Sequence, residues 1–117
     1  MNIETLREYC LSKKGTSESF PFGEVTLVFK VMSKMFALTN LDGDLTVNLK
    51  CDQEKAIELR EKYPFVLPGY HMNKKHWNTI QITEFVPDKL IMKWVDHSYN
   101  LVVQSLTKKL KEELNNL

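Results

Sequence analysis

The sequence predicts a two-layer α+β domain in which helices pack on one face of an antiparallel sheet, in the order α-βββ-α-β-α. Two observations support this prediction. Three strand-like runs separated only by short turns occupy the first half of the chain, and segments of helical periodicity lie before, between and after the strands. With 117 residues, 43% of them hydrophobic, the chain is long enough to bury one core. We therefore expect a single domain covering residues 1–117.

The first element is predicted to be a helix. Asn2 is suited to cap it, and Glu4 lies in the first turn, where the helix dipole favours an acid. Gly15 is a suitable stop. The apolar positions at helical spacing are Ile3, Leu6 and Cys10.

A three-stranded meander is predicted next. The run 24–32 is rich in β-branched and aromatic residues, and 35–41 follows it after a tight turn at Ser33-Lys34. Asp42-Gly43 is a strong hairpin signal because both residue types tolerate positive φ. The run 45–50 then alternates apolar and polar residues. Such a meander normally buries one face and leaves the other wet.

The second half predicts helices around one further strand. Asp52 is suited to cap a helix that Pro64 ends, and residues 77–85 form a fourth strand. Val86-Pro87-Asp88 opens a short helix, and Asp96 or Ser98 caps a last one. The apolar positions of these three helices are Ala56, Leu59 and Tyr63; then Leu90, Ile91, Trp94 and Val95; then Leu101, Val102, Leu106, Leu110 and Leu114.

Charge and cysteine content limit the classes of partner and compartment. A net charge of +1 leaves no strongly basic surface, so that nucleic-acid binding would depend on a local patch of cations. Cys10 and Cys51 lie far apart without a CxxC motif, which is typical of reduced thiols. We find no secretory leader and no apolar run of about 20 residues. We therefore expect a cytoplasmic protein without a membrane span.

The segment from Pro68 to Asn78 is the densest in chemistry-bearing residues. It contains two histidines, two lysines, two asparagines and two aromatic residues, with no acid. Together with Phe20–Gly23, Asn48–Asp52 and Ser98-Tyr99, this segment resembles the MmcQ/YjbR family over essentially the whole chain. The resemblance implies the YjbR-like fold, and it implies a proposed double-wing mode of DNA binding that rests on fold analogy. It implies no reaction, cofactor or ligand.

A DNA-binding surface is the first hypothesis for this segment. Lysines would contact phosphates, polar side chains would contact bases or sugars, and an aromatic ring would stack. Lys30, Lys34 and Lys50 would extend the patch along the meander, whereas Asp42, Asp44, Asp52 and Glu54 would repel DNA if they shared its face. The candidate residues are Lys74 and Lys75 for phosphate, His71, Asn73, His76 and Asn78 for polar contacts, and Tyr70 and Trp77 for stacking. The alternative is a polar connecting loop that its two aromatic residues anchor to the core.

Other readings remain open. A small-molecule or peptide site could form between the same loop and the Phe20–Gly23 turn, and the architecture also resembles that of type III secretion chaperones, which bind protein segments. Cys51 with His71 or His76 could form a nucleophile–base pair, although a small half-buried thiol is the simpler interpretation. The spacing of the histidines indicates no metal site. We therefore predict a binding module with no cofactor and no catalytic residues, whose oligomeric state is open.

Overall fold

The computed structural model describes all 117 residues, with six strands and four helices in one α+β domain. The strands form a single antiparallel sheet in the order β1-β2-β3-β4-β6-β5. This confirms the predicted fold class. The elements are α1 (Ile3–Leu11), β1 (Thr16–Ser19), β2 (Thr26–Val31), β3 (Lys34–Asn40), β4 (Thr46–Lys50), α2 (Gln53–Lys62), β5 (Val66–Pro68), β6 (Trp77–Gln81), α3 (Asp88–Ser105) and α4 (Lys108–Asn115).

The predicted meander is formed by β2, β3 and β4, and its two turns have the expected chemistry. Met32 and Ser33 both have positive φ between β2 and β3, which is the backbone of a primed hairpin turn. That turn lies one residue earlier than predicted. Gly43, with φ of 80°, occupies the turn between β3 and β4. Asp52 caps α2 by accepting a hydrogen bond from the main-chain N–H of Lys55.

The two edge strands, β1 and β5, were not predicted from the sequence. The strand β1 is short and polar, and β5 has three residues that end at Pro68. Neither has enough alternating apolar residues to produce a period-2 signal. Each forms because a longer neighbour, β2 or β6, offers its free edge. Short edge strands and a terminal proline also discourage pairing with other molecules.

The predicted boundary at Asp96 or Ser98 is wrong, because α3 continues through both residues to Ser105. The Ser98 hydroxyl is fully buried, donates to the main-chain oxygen of Phe36 at 2.5 Å, and accepts from the main-chain N–H of Lys50 at 2.8 Å. It therefore joins the helix to the sheet instead of capping a helix. The break comes at Leu106, and Thr107 caps α4.

The helices cover one face of the sheet. The long helix α3 packs across β2, β3 and β4, α2 packs on β5 and β6, and α1 packs beside β1. The main core lies between these layers and includes Phe29, Phe36 and Trp94. We call the opposite side of the sheet the open face. None of the helices is long and apolar enough to span a membrane.

Candidate binding cleft

Strand register defines the open face. Because side chains alternate along each strand, Val28, Leu38, Asn48, Thr79 and Leu67 form one row across five neighbouring strands. A parallel row brings further hydroxyl and amide groups to the same face. None of the strand residues on the open face is acidic. Besides the row of five, they are Ser17, Ser19, Thr26, Lys30, Met35, Asn40, Thr46, Lys50, Trp77 and Gln81.

The acids that could have opposed a negatively charged ligand lie elsewhere. Glu18 is on the helix-covered side of β1, where it forms a 2.6 Å ion pair with Arg7 of α1. The hydrogen bonds that Glu18 accepts from the Arg7 guanidinium hold the pKa of Glu18 below its usual range. Asp52 and Glu54 belong to the start of α2, and the turn after β3 carries Asp42 and Asp44. The centre of the open face is therefore free of carboxylates.

The Pro68–Asn78 loop folds back over the open face and is fixed there by its main chain. The Tyr70 N–H donates to Thr79 Oγ1 at 2.8 Å, and Asn48 Nδ2 donates to the Tyr70 oxygen at 3.3 Å. The Thr79 hydroxyl donates to Asn48 Oδ1 at 2.5 Å, which joins the two anchors. The Gly69 N–H donates to the Trp77 oxygen at 2.9 Å. These bonds place the loop at a defined height above the strands.

Glycine is required at position 69 by this close approach. A Cβ atom there would lie 2.8 Å from both the Cβ and the main-chain oxygen of Trp77. Two residues later, His71 has φ of 58°, which turns the chain in a conformation that L residues rarely adopt. The imidazole of His71 packs against the ring of Tyr70, with centroids 4.0 Å apart. The loop thus presents an aromatic pair above the sheet.

Between the loop and the strands lies a cleft of about 670 Å³, which we call the open-face cleft. Exposed aromatic rings line it from two directions: Phe22, from the turn before β2, is 62% exposed, and Tyr70 is 68% exposed. The floor is a mixture of apolar and uncharged polar side chains. The lining residues are Phe22, Thr26, Leu38, Thr39, Asn40, Thr46, Asn48, Leu67, Pro68, Tyr70, His71, Met72, Thr79 and Gln81.

Part of the polar floor is available to a ligand. Asn48 and Thr79 are occupied in holding the loop, and the Asn40 amide donates to the Asp42 oxygen at 2.6 Å. In contrast, the hydroxyls of Thr26 and Thr46 and the amide of Gln81 bond to no other group of the protein. Thr46 and Gln81 are directly opposite each other on β4 and β6. The cleft therefore offers free donors and acceptors without formal charge.

Two of the eight residues predicted for DNA contact are buried. Trp77 is 8% exposed and packs with Val28 and Leu38, under Met35 and Met72. Asn78 is 2% exposed on the helix-covered side, where its Nδ2 donates to the Ala56 oxygen at 3.3 Å and its Oδ1 has no hydrogen-bond partner. Neither side chain has the free surface that stacking or base contact requires.

The other loop residues divide into bound and free side chains. The Lys74 ammonium donates to the Gly69 oxygen at 3.1 Å, and Asn73 Oδ1 accepts from the Lys75 N–H at 2.9 Å, so that both stabilise the loop. The side chains of Lys75 and His76 are exposed. Tyr70 and His71 line the open-face cleft. The structure therefore brings two of the eight candidates together in a cleft.

The thiols have environments that oppose nucleophilic chemistry. Burial raises the pKa of Cys51 to about 11 and that of Cys10 to about 12, so that little thiolate exists near neutral pH. The loop meets Cys51 through its backbone, because the Cys51 N–H donates to the His76 oxygen at 2.7 Å. No three histidine, cysteine, aspartate or glutamate side chains converge into a group that could hold a metal ion.

A second cleft, of about 700 Å³, lies beside the start of α1 and the end of β6. It is more open to solvent than the open-face cleft. Its lining includes the acids Glu84 and Asp88, and it has no aromatic side chain. These differences favour the open-face cleft as the candidate site.

Sequence reasoning missed the residues that form the floor of the cleft. Thr26 and Thr46 belong to the predicted meander, whose polar residues are expected on its wet face, and Gln81 belongs to the predicted fourth strand. The available signal was the alternation itself, which places Trp77, Thr79 and Gln81 on one side of the last strand. That alternation is confirmed by the pairing of β4 with β6.

Known proteins resemble this chain over most of its length. The curated relatives include YbdF of Escherichia coli O157:H7, which is 37% identical over 107 residues (91% of this chain and 88% of the relative). YjbR of Escherichia coli K12 is 32% identical over 115 residues, which cover 97% of this chain and 98% of the relative. The YyaQ protein of Bacillus subtilis is 27% identical over 114 residues, which cover 84% of this chain and 95% of the relative.

Solved structures have the same fold. The Deinococcus radiodurans protein DR2400, described by the domain name DUF419, superposes with a TM-score of 0.90 at 41% identity, covering 97% of this chain and 88% of that one. A Pseudomonas syringae protein superposes with a TM-score of 0.76 at 28% identity, over 86% of this chain and 98% of its own. The family model described as YjbR matches residues 11–101. This chain belongs to the YjbR family.

Proposed function

We propose that this protein is a binding module whose ligand occupies the open-face cleft. The observation that carries the proposal is the construction of the cleft: a loop fixed by main-chain hydrogen bonds closes over a floor that retains free hydroxyl and amide groups. Ligand sites in proteins typically combine a largely apolar wall with a few placed polar groups in a preformed concavity of this size.

The side chains of the open-face cleft are better suited to binding a ligand than to catalysing a reaction. The histidine in the cleft, His71, has no carboxylate beside it in the lining, and neither cysteine lies there. General acid–base or nucleophilic catalysis needs a reactive group held close to a partner that activates it. The cleft instead offers shape, aromatic surface and uncharged hydrogen-bonding groups, which are the means of recognition.

The proposal is tested by filling the cleft. Thr46 lies on the floor in the central strand β4, so that Thr46→Trp occupies the volume without removing a core contact. Gln104→Trp, on the exposed side of α3, is the matched control. Titrations of isotope-labelled protein with indole, benzamide, N-acetylphenylalanine amide and adenosine are followed by nuclear magnetic resonance.

We expect at least one of these probes to shift resonances of the cleft lining in the native protein and in Gln104→Trp, and to shift none in Thr46→Trp. The proposal is overturned if no probe shifts the cleft resonances of the native protein, or if Thr46→Trp binds the same probe equally well. Retained strand dispersion in the spectrum of Thr46→Trp verifies that the variant is folded.

A second candidate function, binding of DNA through its phosphates, is supported by the charge of the open face. Lys30 and Lys50 lie on this face, Lys75 is free in the loop, and no strand carboxylate shares the surface. Cations gathered on an acid-free surface attract a polyanion. This candidate depends on lysines around the cleft rather than on the cleft itself.

Salt dependence separates the two candidates. Lys75→Ala should reduce the slope of log affinity against log salt by about one if Lys75 contacts a phosphate. Lys109→Ala, on α4 and away from the open face, should leave the slope unchanged. A 20-base-pair duplex that shows no binding to the native protein at low salt excludes this candidate.

A further inference from the structure

The charge of the open-face cleft restricts its ligand. The lining contains no lysine, arginine, aspartate or glutamate, and His71 is its one titratable side chain apart from the phenol of Tyr70. A bound phosphate or carboxylate would find no cation there, and a bound ammonium would find no carboxylate. Because an unpaired charge is costly to remove from water, the part of the ligand that enters the cleft is uncharged.

The floor excludes two other classes of ligand. A peptide that extends a sheet needs an unpaired strand edge, but β4 and β6, which carry Thr46 and Gln81, are paired on both sides, and the one edge strand at the cleft, β5, has only three residues and ends at Pro68. A purely apolar ligand would cover the free groups of Thr46 and Gln81 without replacing their hydrogen bonds to water. Each such loss weakens binding, because a buried polar group without a partner is costly. The ligand must therefore return hydrogen bonds to the floor.

The aromatic rings add a requirement of shape. Tyr70 and Phe22 are the largest exposed groups of the lining, and the His71 ring extends the surface of Tyr70. Exposed rings of this kind favour a flat partner that stacks on them. A flat, uncharged group whose edge carries both donors and acceptors satisfies all three conditions.

We infer that the open-face cleft binds a nucleobase, stacked against the Tyr70 ring while its edge is hydrogen-bonded by Gln81 and Thr46. This inference rests on the proposed function, whose site it uses. A primary amide offers a donor and an acceptor side by side, the arrangement with which glutamine pairs to a base edge. Because Thr46 and Gln81 are cross-strand neighbours, their Cβ atoms lie about 5 Å apart. One ring edge can therefore reach both.

The base could come from a free nucleoside or from an unpaired position in a single strand. Lys50 and Lys30 lie on the open face outside the cleft, at a place suited to the phosphates of a continuing strand. A free nucleoside would not use them. The two sources are therefore distinguished by the effect of chain length and salt on affinity.

Adenosine, guanosine, cytidine and uridine are titrated separately into the isotope-labelled protein, and binding is followed by nuclear magnetic resonance. Ribose and indole, which represent the sugar alone and a flat ring alone, are titrated in the same way. Gln81→Leu removes the amide on the floor, and Gln104→Leu removes an exposed amide from α3 as the control. We expect at least one nucleoside to shift cleft resonances, ribose to shift none, and Gln81→Leu to weaken the binding by about tenfold or more. The control should bind as the native protein does.

A ten-nucleotide single strand and an abasic strand of equal length identify the source. Tighter, salt-dependent binding of the single strand than of the nucleoside indicates an unpaired base in a strand, and equal affinities indicate the free nucleoside. Equal binding of the abasic strand would overturn the inference. So would cleft shifts from indole or N-acetylphenylalanine amide with none from any nucleoside, although the proposed function would then stand. If no probe shifts the resonances of the cleft, both the inference and the proposed function fail.

Discussion

The two faces of the sheet use the same strands for different purposes. Toward the helices, alternate residues such as Phe29, Val47 and Ile80 are at most 2% exposed and join one continuous core. Toward the open face, the intervening positions bury a small cluster of Val28, Leu38 and Trp77 beneath the loop and then leave the rest open. One face is closed by packing, whereas the other is closed by a loop held through hydrogen bonds.

This difference indicates which substitutions change stability and which change binding. Burial of apolar side chains is the dominant favourable contribution to folding, and most of it lies on the helix-covered face. The open face can vary in its exposed positions at little cost to the fold. Four predictions test this division, from the largest expected effect to the smallest.

The largest effect is expected at Phe29, which is fully buried on the helix-covered face. Phe29→Ala should lower the free energy of unfolding by about 3–5 kcal/mol, because it removes buried apolar surface and leaves a cavity. Phe85→Ala is the control, since Phe85 is 83% exposed and should change the free energy of unfolding by less than about 0.5 kcal/mol. Urea denaturation measures both, and equal losses would contradict the division.

Gly69→Ala should give the next largest effect, on the loop of the open face. Its new Cβ meets the Trp77 backbone, so that the loop must move away from β6. We expect a loss of about 1–3 kcal/mol, with chemical-shift changes confined to the loop and the open face. Shift changes spread through α1 and α3 would show that the two faces are not independent.

A smaller, pH-dependent effect is expected at Asp96, which joins α3 to α1. Asp96 accepts a hydrogen bond from Tyr9 at 2.6 Å and forms an ion pair with Lys13. Burial raises the pKa of Asp96, but the hydrogen bonds from Lys13 and Tyr9 and the charge of Lys13 outweigh burial and hold it below the usual range.

Because the folded pKa is depressed, the stabilisation is complete above the ordinary pKa of aspartate and is lost as the pH falls through the folded value. Asp96→Asn should therefore destabilise the protein at neutral pH, and the difference from the native protein should shrink below about pH 4. Urea denaturation at a series of pH values measures this. A difference that stays constant down to about pH 2 would refute the role of the charge.

The smallest effect on stability is expected at Tyr70, whose ring is 68% exposed. Tyr70→Ala should change the free energy of unfolding by less than about 0.5 kcal/mol, since the loop is anchored by the main chain of this residue and not by its ring. Binding of a nucleoside should nevertheless fall severalfold. Loss of stability comparable to that of Gly69→Ala would show that the ring is structural.

The sequence contained the information for the central strands and for α1 and α2. Period-2 and period-3.6 patterns with suitable caps appear wherever one face of an element is buried. The patterns fail at β1 and β5, whose strand conformation comes from a neighbour's free edge. They also fail at Ser98, because a polar residue within an apolar stripe has the same local signature as a cap.

The sequence indicated a candidate segment but not how its side chains are arranged in space. The prediction took consecutive residues of the Pro68–Asn78 loop as one surface. The alternation of β6 buries Asn78 on one side of the sheet and packs Trp77 on the other, while Thr26 and Gln81 reach the cleft from separate strands. Such convergence depends on strand order, which periodicity alone does not specify.

The attachment of the loop has a consequence for how this scaffold can diversify. The bonds that fix its height end on the main-chain groups of Gly69 and Tyr70. Their partners are the side chains of Asn48, Thr79 and Lys74 and the main-chain oxygen of Trp77. The side chains at positions 70 and 71 take no part in them. Substitution at position 70 changes the side chain at the cleft while these anchors stay in place, whereas position 71 must also keep the positive φ of His71. Under the proposed function, a change of side chain at position 70 is therefore expected to alter ligand preference without moving the loop.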